Sequence, residues 1–384
     1  MERSEWPATG PPAADIAPVF AVYDVREDGD RLVYVGQPRA PSDRVEQELW
    51  PRFRECGYEV QLRQGYPAGD EGEFPVSAGE SVLVATPRSV GVDGVPWTNV
   101  ALLVATVLST LLVGATTWYR IPLSAGPVAI LEAWPFVAAI LGVLGVHELG
   151  HYVMSRYHDV DATLPYFIPF PSVIGSMGAV IRMKGRIPDR TALFDIGVAG
   201  PLAGLVATVV VTVIGLQLDP LPVQEAASGD AGTFIRFNNP VLLVLIAEAT
   251  GTAGKLAANG SVHPVVFGGW VGVLVAVLHL LPGGQLDGGH ILRAVVGPRQ
   301  ETLSAAVPGL LFALAAYLYV VRGTVNSVAI WVFWGLFALG LAYAGAADPI
   351  YDEPLDRRRV AVGLLTLGLG LLCFTPVPIE IVTV

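Results

Sequence analysis

The sequence predicts an α-helical polytopic membrane protein of about seven transmembrane helices, with a small soluble α+β domain at its N-terminus. Hydrophobic residues make up 53% of the 384 residues and charged residues only 15%, whereas a soluble globular chain carries about 25% charge. The mean hydropathy is +0.55. The charge is also unevenly distributed, because residues 1–98 hold 17 acidic and 9 basic residues and so carry −8 of the net charge of −11. The chain therefore divides into an acidic N-terminal part and an apolar remainder whose solvent is partly lipid.

The same composition excludes a secreted disulfide scaffold, a nucleic-acid-binding domain and a disordered regulator. A net charge of −11 opposes binding to DNA or RNA, which depends on Lys and Arg contacts to phosphate. The two cysteines, Cys56 and Cys373, lie near opposite ends of the chain, so no disulfide framework is indicated. We therefore expect the lipid bilayer, and not nucleic acid, as a partner.

Residues 1–98 predict a tail followed by a domain. Residues 1–17 contain no apolar run and are typical of a disordered tail rather than of a signal peptide. In residues 18–98, PVFAVYDV and RLVYVGQ flank a turn at 28–30 and predict two strands. Residues 42–56 have helical periodicity, and YEVQLRQ and SVLVATP predict two more strands. We expect a soluble α+β domain without a catalytic cluster, whose role is regulatory or substrate-sorting.

Residues 99–384 are built of long apolar runs. A spanning helix needs about 20 apolar residues, and runs of roughly that length predict spans at 99–118, 131–155, 193–217, 263–281, 302–321, 327–347 and 360–377. The apolar piece at 240–250 is too short to cross alone. Ten Lys or Arg residues lie in loops 156–192, 288–301 and 348–359, against four on the opposite side. The positive-inside rule then places the N-terminal domain in the cytoplasm, and we expect a multi-pass protein of the cell membrane.

The second predicted span ends in the sequence HELGH at 147–151. Positions i and i+4 lie on one face of a helix, so His147 and His151 can bind one divalent ion while Glu148 acts as a general base. This is the arrangement of zinc peptidases. The alternative is a chance pentapeptide or a pair of helix-capping histidines, but an unliganded His-Glu-His group within a membrane span is costly.

A catalytic zinc takes three protein ligands and keeps one position open, so HELGH requires a third ligand elsewhere. Asp287, in the segment LLPGGQLDGG, is the only carboxylate between Glu248 and Glu301. The glycines beside it let the backbone approach a metal closely. Taken alone, this segment is also typical of a polar turn at a helix end.

HELGH at 147–151 and LLPGGQLDGG at 280–289 have the order and spacing of the site-2 protease family of intramembrane zinc metalloproteases, peptidase family M50. The chain resembles this family over about residues 100–300. The stretch GSMGAVIRMKGRIPDRTALFDIGVAGPLAGL at 175–205 resembles the branch that includes the chloroplast members and many prokaryotic relatives. The resemblance implies one zinc per chain, with His147, His151 and Asp287 as ligands and Glu148 as catalytic base. It also implies a membrane metalloprotease domain over 99–384, with a catalytic core at about 131–300.

The second motif departs from the family at His279, where an asparagine is usual. That asparagine is thought to hold the substrate or to stabilise the developing oxyanion. His279 can donate a hydrogen bond instead, and it can also bind metal. The resemblance makes Pro282 of the same motif a second candidate for substrate contact. His290, three residues after Asp287, is a candidate hydrogen-bonding partner behind the metal ligands.

Three further segments carry interpretations of their own. Residues 165–184 are apolar but broken by three prolines and two glycines, so they predict a membrane-associated hairpin or re-entrant loop rather than a spanning helix. The edge of a hairpin can pair with an unwound substrate; a plain interfacial loop is the alternative. Asp195 and the small residues after it favour close helix packing, and His158 is expected to be solvated.

Together the residues and the resemblance predict an intramembrane zinc metalloendopeptidase that cleaves transmembrane segments of single-span proteins, as in regulated intramembrane proteolysis. A catalytically impaired relative that binds membrane helices or metal is the alternative, because of His279. A divalent-metal transporter is a third class, but the chain lacks a pathway of further polar residues.

Overall fold

The structure is a computed structural model that describes residues 6–64, 81–88, 91, 94–221, 233–256, 262–323, 325–344 and 347–383. It combines an N-terminal sheet domain with a larger helical part. The elements of the N-terminal domain are α1 (Ala13–Ile16), β1 (Phe20–Asp28), β2 (Arg31–Pro38), α2 (Ser42–Glu55), β3 (Tyr58–Gln64) and β4 (Ser81–Pro87).

The N-terminal domain is an antiparallel sheet in the order β1-β2-β4-β3 with α2 packed on one face. Side chains alternate between the two faces of a strand, so Tyr34 and Leu83 point toward the helix while Val33 and Val84 form a second apolar cluster on the other face. Phe53 of α2 is fully buried and its ring meets Tyr34 edge to face. The four strands and the helix predicted from the sequence are therefore present.

Residues 6–17 pack against the sheet domain, whereas the sequence predicts a disordered tail over residues 1–17. Trp6 Nε1 donates to the Pro11 carbonyl at 2.9 Å, and the Trp6 ring lies 5.6 Å from the Tyr34 ring. Ile16 is fully buried in the core of the sheet domain. Trp6 and Ile16 are too far apart in a polar, proline-rich segment to form a recognisable pattern, yet both bury apolar surface. Residues 1–5 lie outside the described residues.

The helical part follows from residue 97 onward. Its helices are α3 (Trp97–Val113), α4 (Pro127–Ile130), α5 (Trp134–Tyr157), α6 (Arg190–Gln217), α7 (Val241–Ala249), α8 (Val265–His279), α9 (Asp287–Val296), α10 (Gln300–Val320), α11 (Val325–Ala344) and α12 (Arg357–Cys373).

In the described part of the chain, four helical segments are long and apolar enough to cross a membrane: Trp97–Trp118, Pro127–Tyr157, Arg190–Gln217 and Asp287–Val320. The prediction of a membrane protein is thus supported by four long apolar helices, whereas the predicted number of seven spans is not confirmed. α8 has only 15 residues, or about 22 Å of helix, because the proline and glycines after His279 end it. α12 has 17 residues and begins with three arginines.

Two short antiparallel ribbons complete the fold. One joins β5 (Tyr166–Pro169) to β6 (Ser176–Val180), and the other joins β7 (Thr233–Phe237) to β8 (Ile379–Thr383). The β5–β6 hairpin falls within the segment 165–184 and agrees with the hairpin predicted there. Gly175, with φ +74°, turns the chain against the backbone of Thr110, where a Cβ would lie closer than 3.0 Å to main-chain atoms.

The N-terminal domain contacts two of the three loops that were predicted to share its side of the membrane. Glu46 pairs with Arg186 Nη1 at 2.7 Å in loop 156–192, and Gln47 Nε2 donates to the Ile350 carbonyl at 2.9 Å in loop 348–359. These contacts put both loops beside the N-terminal domain, while the side of the membrane that this domain occupies stays a prediction.

Candidate metal centre

α5 and α6 approach each other through small residues at the level of the HELGH segment. A Cβ at Gly150 would lie 2.6 Å from the Ala199 carbonyl oxygen, and a Cβ at Gly200 would overlap the His151 ring. A Cβ at Gly204 would lie 2.9 Å from His147 Nδ1. The small residues assigned to packing in α6 therefore lie directly behind both histidines, and the close packing also sets the ring positions.

Three side chains that can ligate a metal converge where α5 meets the start of α9. His147 Nε2 and His151 Nε2 are 3.2 Å apart, and each lies 3.3 Å from Asp287 Oδ2. All three residues are nearly buried. Four-coordinate zinc with bonds of 2.0–2.1 Å separates its ligand atoms by about 3.3 Å, so the triangle has the size that such an ion requires.

The donor set also suits a catalytic ion. Two imidazoles and one carboxylate supply three ligands and leave one position open, which distinguishes catalytic zinc sites from closed structural ones. His151 Nδ1 donates to the Ile196 carbonyl at 2.8 Å. That hydrogen bond fixes the tautomer in which Nε2 carries the lone pair that faces the triangle.

Asp287 reaches the triangle because the chain reverses sharply between α8 and α9. Gly284 adopts φ +50°, and its Cβ position is occupied by the backbone of Leu341. A Cβ at Gly288 would overlap the Leu280 carbonyl. A side chain at Gly284 would push the loop away from α11, and one at Gly288 would push α9 away from the end of α8. The two glycines therefore allow the tight turn that places Asp287, the first residue of α9, against α5.

Glu148 is 5% exposed and lies beside the triangle on α5. Its Oε2 accepts a hydrogen bond from the Ile181 N–H at 2.9 Å. Ile181 directly follows β6, so the end of the hairpin holds the carboxylate of Glu148. The sequence did not indicate this contact, because the two residues are 33 positions apart.

His279, the last residue of α8, also reaches the triangle. Its Nδ1 lies 2.9 Å from His147 Nε2 and 3.1 Å from Asp287 Oδ2. The ligand atoms that all lie within 4.8 Å of one another are those of His147, His151 and Asp287. His279 is thus an additional nitrogen at the edge of the donor set.

The other two predicted site residues lie further out. The Pro282 carbonyl accepts a hydrogen bond from Ser304 Oγ at 2.7 Å, which joins the loop to α10 rather than to the triangle. His290 is 6% exposed and packs against Gly197. Among the described residues, no hydrogen bond connects the His290 ring to a residue of the triangle.

His158 differs from the expectation that it is solvated. Its Nε2 donates to Asp195 Oδ2 at 3.0 Å, and its side chain is 15% exposed. Asp195 also accepts from Arg359 Nε at 2.9 Å. The Asp195 carboxylate therefore ties together the ends of α5, α6 and α12. These pairs join residues 37 and 164 positions apart, which local patterns cannot show.

The fold and the site together define a membrane protein in which two histidines and one carboxylate form a candidate metal centre beside a buried glutamate. Residues 135–321, which include that whole centre, match the model of peptidase family M50. This match agrees with the family that the two motifs indicate for the same region of the chain.

The curated relatives agree with this assignment. The chain is 38% identical over 167 residues to "Probable zinc metalloprotease EGY1, chloroplastic" of Arabidopsis thaliana, covering 43% of this chain and 30% of the relative. It is 27% identical over 377 residues to the rice protein of the same name (Oryza sativa subsp. japonica), covering 91% and 63%. It is 31% identical over 241 residues to "Probable zinc metalloprotease EGY2, chloroplastic" of Arabidopsis thaliana, covering 62% and 40%. The chain thus spans less than two thirds of the length of each of these relatives.

Proposed function

We propose that this chain is an intramembrane zinc endopeptidase that cleaves transmembrane segments of single-span membrane proteins. The observation that carries the proposal is the convergence of His147, His151 and Asp287 on one point, with Glu148 beside it, on helices long enough to cross a membrane. The match of residues 135–321 to peptidase family M50 and the names of the zinc metalloprotease relatives support the same activity. One zinc per chain is proposed, held by the three residues of the triangle.

When bound, zinc lowers the pKa of a coordinated water toward neutrality and polarises the scissile carbonyl. Glu148 is the proposed base, which accepts the proton of the attacking water and returns it to the leaving amine. The Ile181 N–H holds Glu148 Oε2 and leaves the second carboxylate oxygen for the proton. Because Glu148 and the triangle are nearly buried, bulk water has little access to them.

Access of the substrate to this site requires local unwinding, since a helix shields its own peptide bonds. β6 is the proposed template for the unwound segment. Among the described strands it pairs with β5 alone, and Met177 and Val180 are 60% and 48% exposed. A chain added to the second edge of β6 by strand addition would run toward Ile181 and thus alongside Glu148.

The depth of the site supports cleavage near the side of the N-terminal domain. His151 is six residues, or about 9 Å, from the end of α5 at Tyr157. We propose a cell-membrane protein with domain 18–98 in the cytoplasm and membrane domain 99–384. Cleavage would then release a cytosolic fragment of the substrate. His279 and Pro282 are proposed to lie along the substrate path, and His290 to support the metal ligands from behind.

One observation favours a second candidate function, a metal-binding relative that does not cleave. His279 Nδ1 lies within 3.1 Å of two residues of the triangle. If this nitrogen became a fourth protein ligand, the site would be closed, as in structural zinc sites. Such a protein would bind zinc and membrane helices without hydrolysis.

Cleavage in proteoliposomes tests the proposed activity. Purified wild-type protein, Glu148→Gln and His147→Ala are reconstituted with a single-span test protein, and cleavage and zinc per chain are measured. We expect cleavage by the wild type, a loss of about 10²–10⁴-fold in Glu148→Gln with zinc retained, and loss of both in His147→Ala. Undiminished cleavage by Glu148→Gln would exclude the proposed base. Zinc binding without cleavage of any test segment by the wild type would favour the second candidate.

A further inference from the structure

A cleft of about 540 Å³ lies between the sheet of the N-terminal domain and the chain that follows the β5–β6 hairpin. Arg31 of β2 and Arg63 of β3 line it from the domain, and Arg182 and Lys184 line it from the membrane part. All four side chains are exposed. Within the described ranges, none of the four has a carboxylate partner. The cleft thus joins two parts of the chain through a shared patch of positive charge.

The carboxylates in the same cleft do not neutralise this patch, because other arginines already pair with them. Glu59 lies 3.5 Å from Arg54 and 3.6 Å from Arg88. Asp161 lies 3.5 Å from Arg156 and 3.8 Å from Arg88. The surplus charge of Arg31, Arg63, Arg182 and Lys184 is therefore available to a ligand.

The cleft is next to the candidate metal centre along the chain. The Ile181 N–H donates to Glu148, and Arg182 is the next residue. An extended chain advances about 3.3 Å per residue, so a substrate strand paired to β6 passes Lys184 within about three residues of the Glu148 contact. A peptide that leaves the site on the side of the N-terminal domain must cross this cationic surface.

We propose that the cleft selects substrates with an acidic segment next to the membrane on the side of the N-terminal domain. This inference rests on the proposed function. Cytoplasmic flanks of membrane proteins are usually rich in Lys and Arg, as are the loops of this chain on that side. Four cations without a carboxylate partner in the described part of the chain repel such flanks and attract acidic ones, so the cleft excludes most membrane proteins and admits a minority.

Binding and cleavage of matched test proteins separate this inference from the proposed function. Three single-span proteins share one transmembrane segment and differ only in a flank of three acidic, three neutral or three basic residues. Their dissociation constants are measured with Glu148→Gln protein in zwitterionic nanodiscs, and their cleavage is measured with otherwise wild-type protein. Both are repeated with Arg182→Glu/Lys184→Glu and with a charge-reversal control on the opposite side, Arg322→Glu.

We expect the acidic flank to bind about tenfold more tightly than the neutral one, since each exposed charge pair contributes a factor of about two, and the basic flank to bind more weakly than the neutral one. The difference should shrink in high salt, disappear in the double variant, in which the two glutamates balance Arg31 and Arg63, and persist in Arg322→Glu. Equal binding of the three flanks, or an acidic preference that survives in the double variant, would overturn the inference. Selective binding with no cleavage by any protein would reject the proposed activity and still support the acid-selective cleft. Loss of the preference only when anionic lipid is added would identify lipid headgroups as the occupant and so overturn the inference.

Discussion

Replacing Gly200 by alanine would put a methyl group into the His151 ring. Gly200 lies on α6 behind the ring, and the new Cβ would lie closer than 3.0 Å to Nε2, Cδ2 and Cε1, whereas ordinary contacts measure 3.4–4 Å. The His151 ring cannot turn freely, because its Nδ1 donates a hydrogen bond to the carbonyl of Ile196, which lies on α6 together with Gly200. His151 must therefore shift, and Nε2, the atom nearest the new Cβ, leaves its position in the triangle.

Restoring an ordinary contact at Nε2 requires a shift of more than 1 Å, and a misplacement of 1 Å already costs about 10²-fold in rate. Overpacking of this kind typically costs about 1–3 kcal/mol, which corresponds to a loss of zinc affinity of about 5- to 150-fold. Gly204→Ala should have a smaller effect. Its Cβ would meet His147 Nδ1 at 2.9 Å, Cβ at 3.1 Å and Cγ at 3.3 Å, so a movement of a few tenths of an ångström suffices.

Zinc titration with a competing chelator and cleavage of a single-span test protein measure the two effects. Gly142→Ala is the matched control, because Gly142 lies on α5 and a Cβ there meets nothing within 4 Å. We expect losses in the order Gly200→Ala, then Gly204→Ala, with Gly142→Ala unchanged. Full zinc affinity and full activity in Gly200→Ala would refute the close packing of α6 behind His151.

Three other substitutions test separate parts of the structure. His279→Asn should leave zinc content within about twofold, because three protein ligands suffice for a catalytic site, and should retain cleavage; loss of zinc in elemental analysis would make His279 a ligand. Asp352→Asn removes the carboxylate that Arg190 Nε contacts at 2.5 Å, and should lower thermal stability by about 1–3 kcal/mol after allowance for its partial exposure. The hydrogen bond from Arg190 lowers the pKa of Asp352 from 3.8 to about 2, so its contribution is complete above pH 3.8 and is lost as the pH falls toward 2; an identical acid profile in wild type and variant would contradict this. Asp189→Ala removes the N-cap of α6, whose carboxylate accepts from the Ala192 N–H at 2.8 Å, and should cost about 1 kcal/mol in denaturation, whereas an unchanged midpoint would show that packing alone sets the start of α6.

The parts of the site that were predictable are those with a local pattern. The spacing of His147 and His151 places them on one helical face, and the structure brings their Nε2 atoms to 3.2 Å. Asp287 has no such relation to α5. It was identified through the resemblance of its segment to the second motif of the family.

The contacts that orient the site could not be predicted, because they join distant parts of the chain. The Ile196 carbonyl fixes the tautomer of His151 from 45 residues away, and His279 approaches His147 from 132 residues away. A glycine such as Gly200 is indistinguishable in sequence from one that only packs a helix. Its contact with the His151 ring follows from the register of α5 against α6, which periodicity does not determine.

The lengths of the helices are the part of the fold that the sequence predicted least well. Each of the seven predicted apolar runs overlaps a helix, but among the described residues only four helical segments are long and apolar enough to cross a membrane, because hydropathy does not show where a helix ends. The chain leaves α8 at His279 so that Asp287 can turn back toward α5. That departure shortens a span in the same place where it completes the candidate metal centre.

The coordination of zinc in the Glu148→Gln protein tests the central claim most directly. X-ray absorption at the zinc edge, with elemental analysis, reports the number of ions and the type of ligand. The structure predicts one zinc per chain with two imidazole nitrogens and one carboxylate oxygen at about 2.0–2.2 Å. Absence of zinc, or a spectrum with three imidazoles and no open position, would contradict a catalytic centre formed by His147, His151 and Asp287.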